Sequence, residues 1–332
     1  MKNISAFLLI LMLVSCNDNN NKDNERNGWY GPELYGDIAS LTIKEFELLS
    51  KFGEEQVGNL LNLTKYIFNK SGDVTEICEY NADGNLKYLT KNVYDENGNH
   101  IEHVYYQYGR EMSKHRYSYD NMGNIIETAR VSGDKVWQTT IFHYNQSNNR
   151  TESLTYDVNH ILEKKSIYKY DNIGNNIERQ DYDHNGEIVY WEKYIYDTSN
   201  NLIEEKWENP SMRTSGFCRY SYDENGNETD SYDYDQYGNL KEHNTYSYDL
   251  DGNEIEHKIF GSTGEIESEE FSVFNDKGHK IEYVEKAILT NYYNHWKEEY
   301  VYDKYGNIST IKTYKGDTNI PNKLTVWIFE YE

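Results

Sequence analysis

Few side chains in this sequence are spaced for chemistry, and those that are suggest anchoring and binding. The ten histidines are scattered and no HExxH pair occurs. His100 and His103 stand three apart in a segment of strand composition, which puts them on opposite faces and makes them a poor pair for one metal. No GxSxG, Walker loop or Rossmann glycine pattern is present. Carboxylates gather at predicted turns, but glycosidase work needs a cleft and one acid of raised pKa. No catalytic residue is assigned, and the chain is read as non-enzymatic. Asp249-Leu250-Asp251-Gly252-Asn253-Glu254 superficially resembles an oxygen cage. An EF-hand loop needs glycine sixth and glutamate twelfth, whereas Gly252 is fourth, so no cofactor is expected and weak calcium sites are the alternative. Trp137, Trp191, Trp207 and Trp296 are candidate stacking residues for a sugar ring or a protein partner; the competing reading is that they pack neighbouring strands.

The other chemically pointed position is Cys16. Lys2 precedes an unbroken apolar run, Ala6 to Val14, closed by Leu13-Val14-Ser15-Cys16. Nine apolar residues are too few to cross a bilayer and read instead as the core of a secretory signal. The LVSC order resembles the lipobox of bacterial lipoproteins, which implies residues 1–15 as signal peptide and Cys16 as the acylated, palmitate-bearing first residue of the mature chain. Residues 16–27 contain no apolar side chain after the cysteine and read as a disordered tether. The resulting expectation is a cell-envelope protein, lipid-anchored to a bacterial outer membrane on either face. Cys78 and Cys218 are expected to remain two separate thiols.

The elements that position these residues come from the composition and the period. The 332 residues carry 57 acidic against 33 basic side chains, a formal charge of -24, which argues against nucleic acid as a partner. Tyrosine supplies 34 residues. Without it the apolar share, glycine included, is about a third, below the ~45–50% usual for globular domains, so a thick two-layer core is not expected.

Tyr94-Asp95-Glu96-Asn97-Gly98-Asn99 recurs from Tyr119, Tyr170, Tyr196, Tyr222, Tyr248, Phe274 and Tyr302, with degenerate copies at Phe68 and Tyr144. The period is about 26 residues, and a weaker turn falls midway in each. Aspartate at the first corner bonds backbone N–H groups two residues on, and glycine takes the left-handed conformation, giving a type I turn with a glycine bulge. Asp95 and Gly98, Asp120 and Gly123, Asp171 and Gly174, Asp223 and Gly226, Asp249 and Gly252, and Asp303 and Gly306 are the expected structural turn pairs. Where glycine is missing, Asn148, His160 or Asn200 occupies its place. The eight or nine residues between turns are rich in Tyr, Ile, Val, Thr and Trp and suit one strand each.

The expected fold is all-β: an antiparallel meander of about twenty short strands from about ten repeats, in one curled or spiral sheet with tyrosines on one face. Residues 58–316 form the array, 28–57 an N-terminal cap and 317–332 a closing strand. Thr42-Ile43-Lys44-Glu45 fits either a helix capping box or a strand.

The phased Tyr-Asp-x-x-Gly-Asn copies resemble the YD (tyrosine-aspartate) repeats of the Rhs family over roughly 260 residues. That resemblance implies a spiral β-sheet, which in large members is a shell around a toxin domain. Smaller members are described as carbohydrate-binding or cell-surface proteins. The chain ends soon after its last repeat and has only Pro32, Pro210 and Pro321, so no toxin or self-cleavage domain is expected. The function implied is binding of a glycan or protein partner at the cell surface. An accessory or immunity protein related to Rhs toxins is the alternative, and a carboxylate enzyme acting on glycans is a third.

Overall fold

The computed structural model describes residues 26–332; the signal segment, Cys16 and the tether up to residue 25 lie outside the described residues. Strands form where β-branched and aromatic residues alternate between the turns. β1 is Ile38–Lys51, β2 Glu54–Phe68, β3 Val74–Tyr80, β4 Leu86–Tyr94, β5 His100–Gln107 and β6 Arg110–Tyr119. β7 is Ile125–Ser132, β8 Lys135–Tyr144, β9 Arg150–Asp157, β10 Leu162–Tyr170, β11 Asn176–Tyr182 and β12 Ile188–Tyr196. β13 is Leu202–Asn209, β14 Thr214–Tyr222, β15 Glu228–Asp235, β16 Leu240–Tyr248 and β17 Glu254–Gly261. β18 is Ile266–Phe274, β19 Lys280–Ala287, β20 Tyr292–Tyr302, β21 Ile308–Lys315 and β22 Lys323–Tyr331.

Each strand pairs antiparallel with the one before it, and β22 returns to β1, Trp327 opposite Ile43. The sheet is therefore a closed up-and-down barrel of 22 strands, not the open curled or spiral sheet expected from the sequence. Closure satisfies two edges that a meander would leave as rows of unpaired N–H and C=O groups. At ~4.8 Å per strand and ~40° tilt, a circular section would have a radius of roughly 20 Å.

Residues 28–57 are not a cap laid over the array. They supply β1 and the start of β2, and Thr42 to Glu45 is strand. Only the segment from Arg26 to Asp37 lies off the sheet, and Arg26 and Asn27, expected in the tether, belong to it: Asn27 Nδ2 donates to Asp73 Oδ1 at 2.8 Å. This segment covers the one clustered core among the described residues, Leu34, Ile38, Leu41, Phe68 and Val74, with Trp29, Tyr66 and Trp327 packed against it. Elsewhere the wall is a single layer.

Along β12, Tyr190, Glu192, Tyr194 and Tyr196 are occluded while Ile188, Lys193 and Ile195 are exposed. Side chains converge on the concave face of a closed sheet, so the tyrosine face is the lumen wall. After each Asp-x-x-Gly-Asn turn the strand carries one extra residue: Tyr94 opposes His100 but Val93 opposes Glu102. That bulge puts His100 and His103 on the same face, with ring centroids 6.0 Å apart, where a regular strand would have separated them. Both faces carry charge in mid-strand, Arg179 and Glu192 on the lumen side and Lys193 and Arg219 outside.

Candidate functional site

The chemistry of the wall begins at its turns. Asp95 Oδ1 accepts the N–H groups of Asn97 (2.9 Å) and Asn99 (2.8 Å), and Oδ2 accepts the Asn99 amide at 2.9 Å. Gly98 N–H donates to the Asp95 carbonyl at 3.1 Å, with the glycine at φ 82°. The same pattern of backbone donors recurs at Asp120, Asp171, Asp223, Asp249 and Asp303. The glycines of these turns, Gly123, Gly174, Gly226, Gly252 and Gly306, all have positive φ, as do Asn148, His160 and Asn200 in glycine's place.

Hydrogen bonds from Asn99 hold the Asp95 carboxyl below the usual carboxylate range. At Asp249, the candidate calcium ligand, both carboxylate oxygens already accept turn donors, from Asp251 and Asn253.

The tyrosine before each turn does more than pack. Tyr119 Oη donates at 2.8 Å to the carbonyl of His100, bridging the end where neighbouring hairpins have no connecting loop. Tyr94 reaches Val74, Tyr144 Ile125, Tyr170 Arg150, Tyr196 Asn176, Tyr222 Leu202 and Tyr248 Glu228 in the same way. Burial, followed by Tyr117 and Asp95, pushes the Tyr119 hydroxyl up to about 12, so it remains a donor. Asparagine amides add a lateral link between turns, Asn124 to Asn148 and Asn175 to Asn200.

Charge is paired across strands on both faces. On the outer face Arg116 Nε bonds Glu102 at 3.0 Å, Lys169 Nζ bonds Glu178 at 2.7 Å and Arg219 Nε bonds Glu204 at 2.9 Å, while Lys193 stands opposite Lys206. On the lumen face Arg179 pairs with Asp181 at 2.8 Å and opposes Glu192, but like charges also stand opposed: Asp233, with Lys241 at 3.7 Å, lies across from Glu242, and Glu270 across from Glu285. Glu192, 8% exposed, accepts from Tyr190 and Tyr194, with Arg179 at 3.7 Å. Burial and then the Glu192 charge raise the Glu205 pKa, against a bond from Tyr220. Glu228 is raised by burial and by Glu254. These carboxylates were not picked out from the sequence. Their signal would have been position after the turn residue, counted through the bulge: two, five or seven places on after the Tyr-Asp turns (Glu228, Glu205, Asp233, Glu285) and four or six after the alternate turns (Glu242, Glu192, Glu270).

On β5 and β6, His100, His103 and His115 form a ring cluster, with His103 pushed down to about 4 by burial and by the other two imidazoles. Among the described residues no group of three His, Cys, Asp or Glu side chains is disposed to hold a metal.

Each of the four candidate stacking tryptophans has one neighbour close to its ring, and Trp137 is 50% exposed. Lys135 Nζ lies 4.5 Å from the centroid of Trp137, and Lys193 Nζ lies 4.9 Å from that of Trp191. Trp207 lies against Gly216, where an added Cβ would meet the ring at 3.0 Å. Trp296 stacks on Tyr283 at 5.7 Å. Cys78 and Cys218 are free thiols on β3 and β14.

No family model and no curated protein matches the chain. Among solved structures it is similar to TcdB2-TccC3, with 11% identity and a TM-score of 0.33 over 79% of this chain and 20% of that one. It is also similar to the Photorhabdus luminescens Tc holotoxin pore with the TccC3 mutation D651A, 11% identical, TM-score 0.32, over 85% of this chain and 21% of that one. A porin-like protein from Bacteroides uniformis aligns over 88% of this chain and 96% of its own length at 8% identity and TM-score 0.26. The chain spans about a fifth of the length of the toxin chains it matches.

Proposed function

We propose that this chain is a YD-repeat protein of the cell envelope, anchored through Cys16, whose lumen wall binds a protein partner without catalysing a reaction. The observation that carries the reading is the charge arrangement of the wall. Ion pairs occur on both faces, Arg116 with Glu102 outside and Arg179 with Asp181 inside, and the lumen face in addition sets Asp233 across from Glu242 and Glu270 across from Glu285. Like charges opposed across strands cost stability, and a positively charged partner on that face relieves the cost. The lumen carboxylates lie on an open single-layer wall rather than in a cleft, which supports binding over turnover.

A protein partner is favoured over a glycan because the opposed lumen carboxylates suit a cationic partner, whereas Trp191, Trp207 and Trp296 each already have a neighbour at the ring. The full-length chain, immobilised through a tag in detergent, is tested against envelope protein fractions and a glycan array across a salt series. Saturable, salt-sensitive protein binding that weakens in Asp233→Asn/Glu270→Gln is expected. Glycan binding that is insensitive to those substitutions would overturn the reading.

A further inference from the structure

The ring of strands is not equally strong all the way round. β22 opposes β1 over nine residue pairs, from Ile38–Tyr331 to Glu47–Lys323. It opposes β21 over only four, Thr310–Val326 to Thr313–Lys323, the shortest ladder in the barrel. The connection between these two strands, residues 316–322, is also the longest between successive strands.

In place of the missing half-ladder the N-terminal segment is pinned to the start of β21. Tyr35 N–H donates to Asn307 Oδ1 at 2.7 Å, and Asn307 Nδ2 donates to the Tyr35 carbonyl at 2.9 Å. The same amide reaches Tyr331 Oη on β22 at 3.1 Å, and Tyr331 donates to Asp303 at 2.9 Å. Asn307 is 1% exposed, so this side chain replaces strand pairing at the heart of the junction. At the other end the long connection is held by Asp317, which lies 2.6 Å from His295 and accepts from Tyr293 at 3.1 Å.

We infer that the β21–β22 junction is a gate in the barrel wall and that residues 28–37 are its strap, with Asn307 as the pin. Release of the strap leaves β21 and β22 joined by four residue pairs, and the closed ring opens there into a continuous sheet. β22 stays with β1 and β2, because its ladder to β1 is more than twice as long. The strap is the segment through which the chain leaves toward its N-terminus, so displacement of that segment is coupled to opening of the lumen. This inference does not depend on what the wall binds.

Hydrogen exchange read by mass spectrometry on the full-length chain tests it without any partner. Amides of 310–313 and 323–326 are expected to exchange at least ~10-fold faster than those of the β11–β12 ladder, and Asn307→Ala is expected to widen the gap by a further ~10-fold. Ile311→Cys with Thr325→Cys, opposed in register, forms a disulfide expected to slow exchange on both strands until it is reduced. Exchange at the junction no faster than at β11–β12 in the unsubstituted chain would overturn the gate. So would equal acceleration of every ladder in Asn307→Ala, which would mean global unfolding.

Discussion

Tyr119 Oη and the His100 carbonyl are joined by a 2.8 Å hydrogen bond across the open end between two hairpins, and the same latch recurs six times around the barrel. It explains why the residue before the turn is tyrosine rather than any β-prone aromatic. Tyr119→Phe keeps the ring and removes the latch, and should cost about 0.5–1.5 kcal/mol in chemical denaturation. Phe274 occupies the latch position of β18 without a hydroxyl. Phe274→Tyr, with the Glu254 carbonyl twenty residues back as its acceptor, should therefore gain up to about 1 kcal/mol. Equal and opposite shifts in midpoint for the two variants would establish the latch. No change in either would leave the hydroxyl without a role.

The left-handed corners make a second, local prediction. Gly98 sits at φ 82° with open space where a Cβ would go, so the obstacle to a side chain is backbone strain alone. Gly98→Val should destabilise by about 1–2 kcal/mol, and Gly98→Asn by less, because asparagine tolerates this region. His160 holds the equivalent position at φ 59°. His160→Gly should be neutral or gain up to about 1 kcal/mol, measured by thermal melting.

Acid should unfold the barrel through its turns. Asp95, Asp120, Asp223 and Asp249 are all held below the usual carboxylate range, first by the asparagine four residues on. A depressed native pKa means the stabilisation is complete above the unfolded value of ~3.9 and is lost as pH falls through the native value. Denaturation midpoints measured from pH 6 to pH 2.5 should drop most steeply below ~4. Asn275 shows that an amide can run the same turn, accepting from the N–H groups of Lys277 and His279. Replacing several turn aspartates by asparagine should accordingly keep the fold and flatten the acid limb.

Glu205 predicts the opposite slope. Its native pKa is raised, first by burial and then by Glu192, so its neutral form is the one the fold favours. The stability it contributes is present below the unfolded value of ~4.3 and lost as pH rises through the native value. Glu205→Gln should be more stable than the parent by about 0.5–1 kcal/mol at pH 7. The difference should vanish near pH 4, and a gain that persisted there would locate the effect elsewhere than in the charge.

The turns were legible because their signal is local: Asp, Gly and Asn within five residues settle a corner by their own hydrogen bonds. Closure was not legible, because it depends on β1 meeting β22 across nearly the whole chain, through Ile43 and Trp327, whose types say only that they are β-prone. The facing of His100 and His103 was misread for a related reason. The bulge that follows the turn shifts the alternation by one, and counting by two from the turn misses it. The lumen carboxylates Glu192 and Glu205 were hidden the same way, being neighbours only through the β12–β13 register.

Trp29 is where the strap is anchored, and it offers the largest single effect on stability. Its ring meets Tyr66 edge-on at 5.0 Å and Trp327 at 6.0 Å, and its Nε1 donates to the Pro32 carbonyl at 2.8 Å, so it binds the strap to itself and to both β2 and β22. It packs against the one clustered core of the described residues, which holds the fully buried Leu41. Removing a large aromatic from such a cluster typically costs about 3–5 kcal/mol, and the ring's partial exposure sets this site near the lower end. Trp29→Ala should lower the unfolding midpoint accordingly. Because the rest of the barrel is a single layer of hairpins contacting only their neighbours, the loss should be uneven. Exchange should rise in β1, β2 and β22 while β11 to β16, on the far side of the ring, keep their protection. Uniform loss across all strands would show that the cluster nucleates the whole ring and not its seam alone.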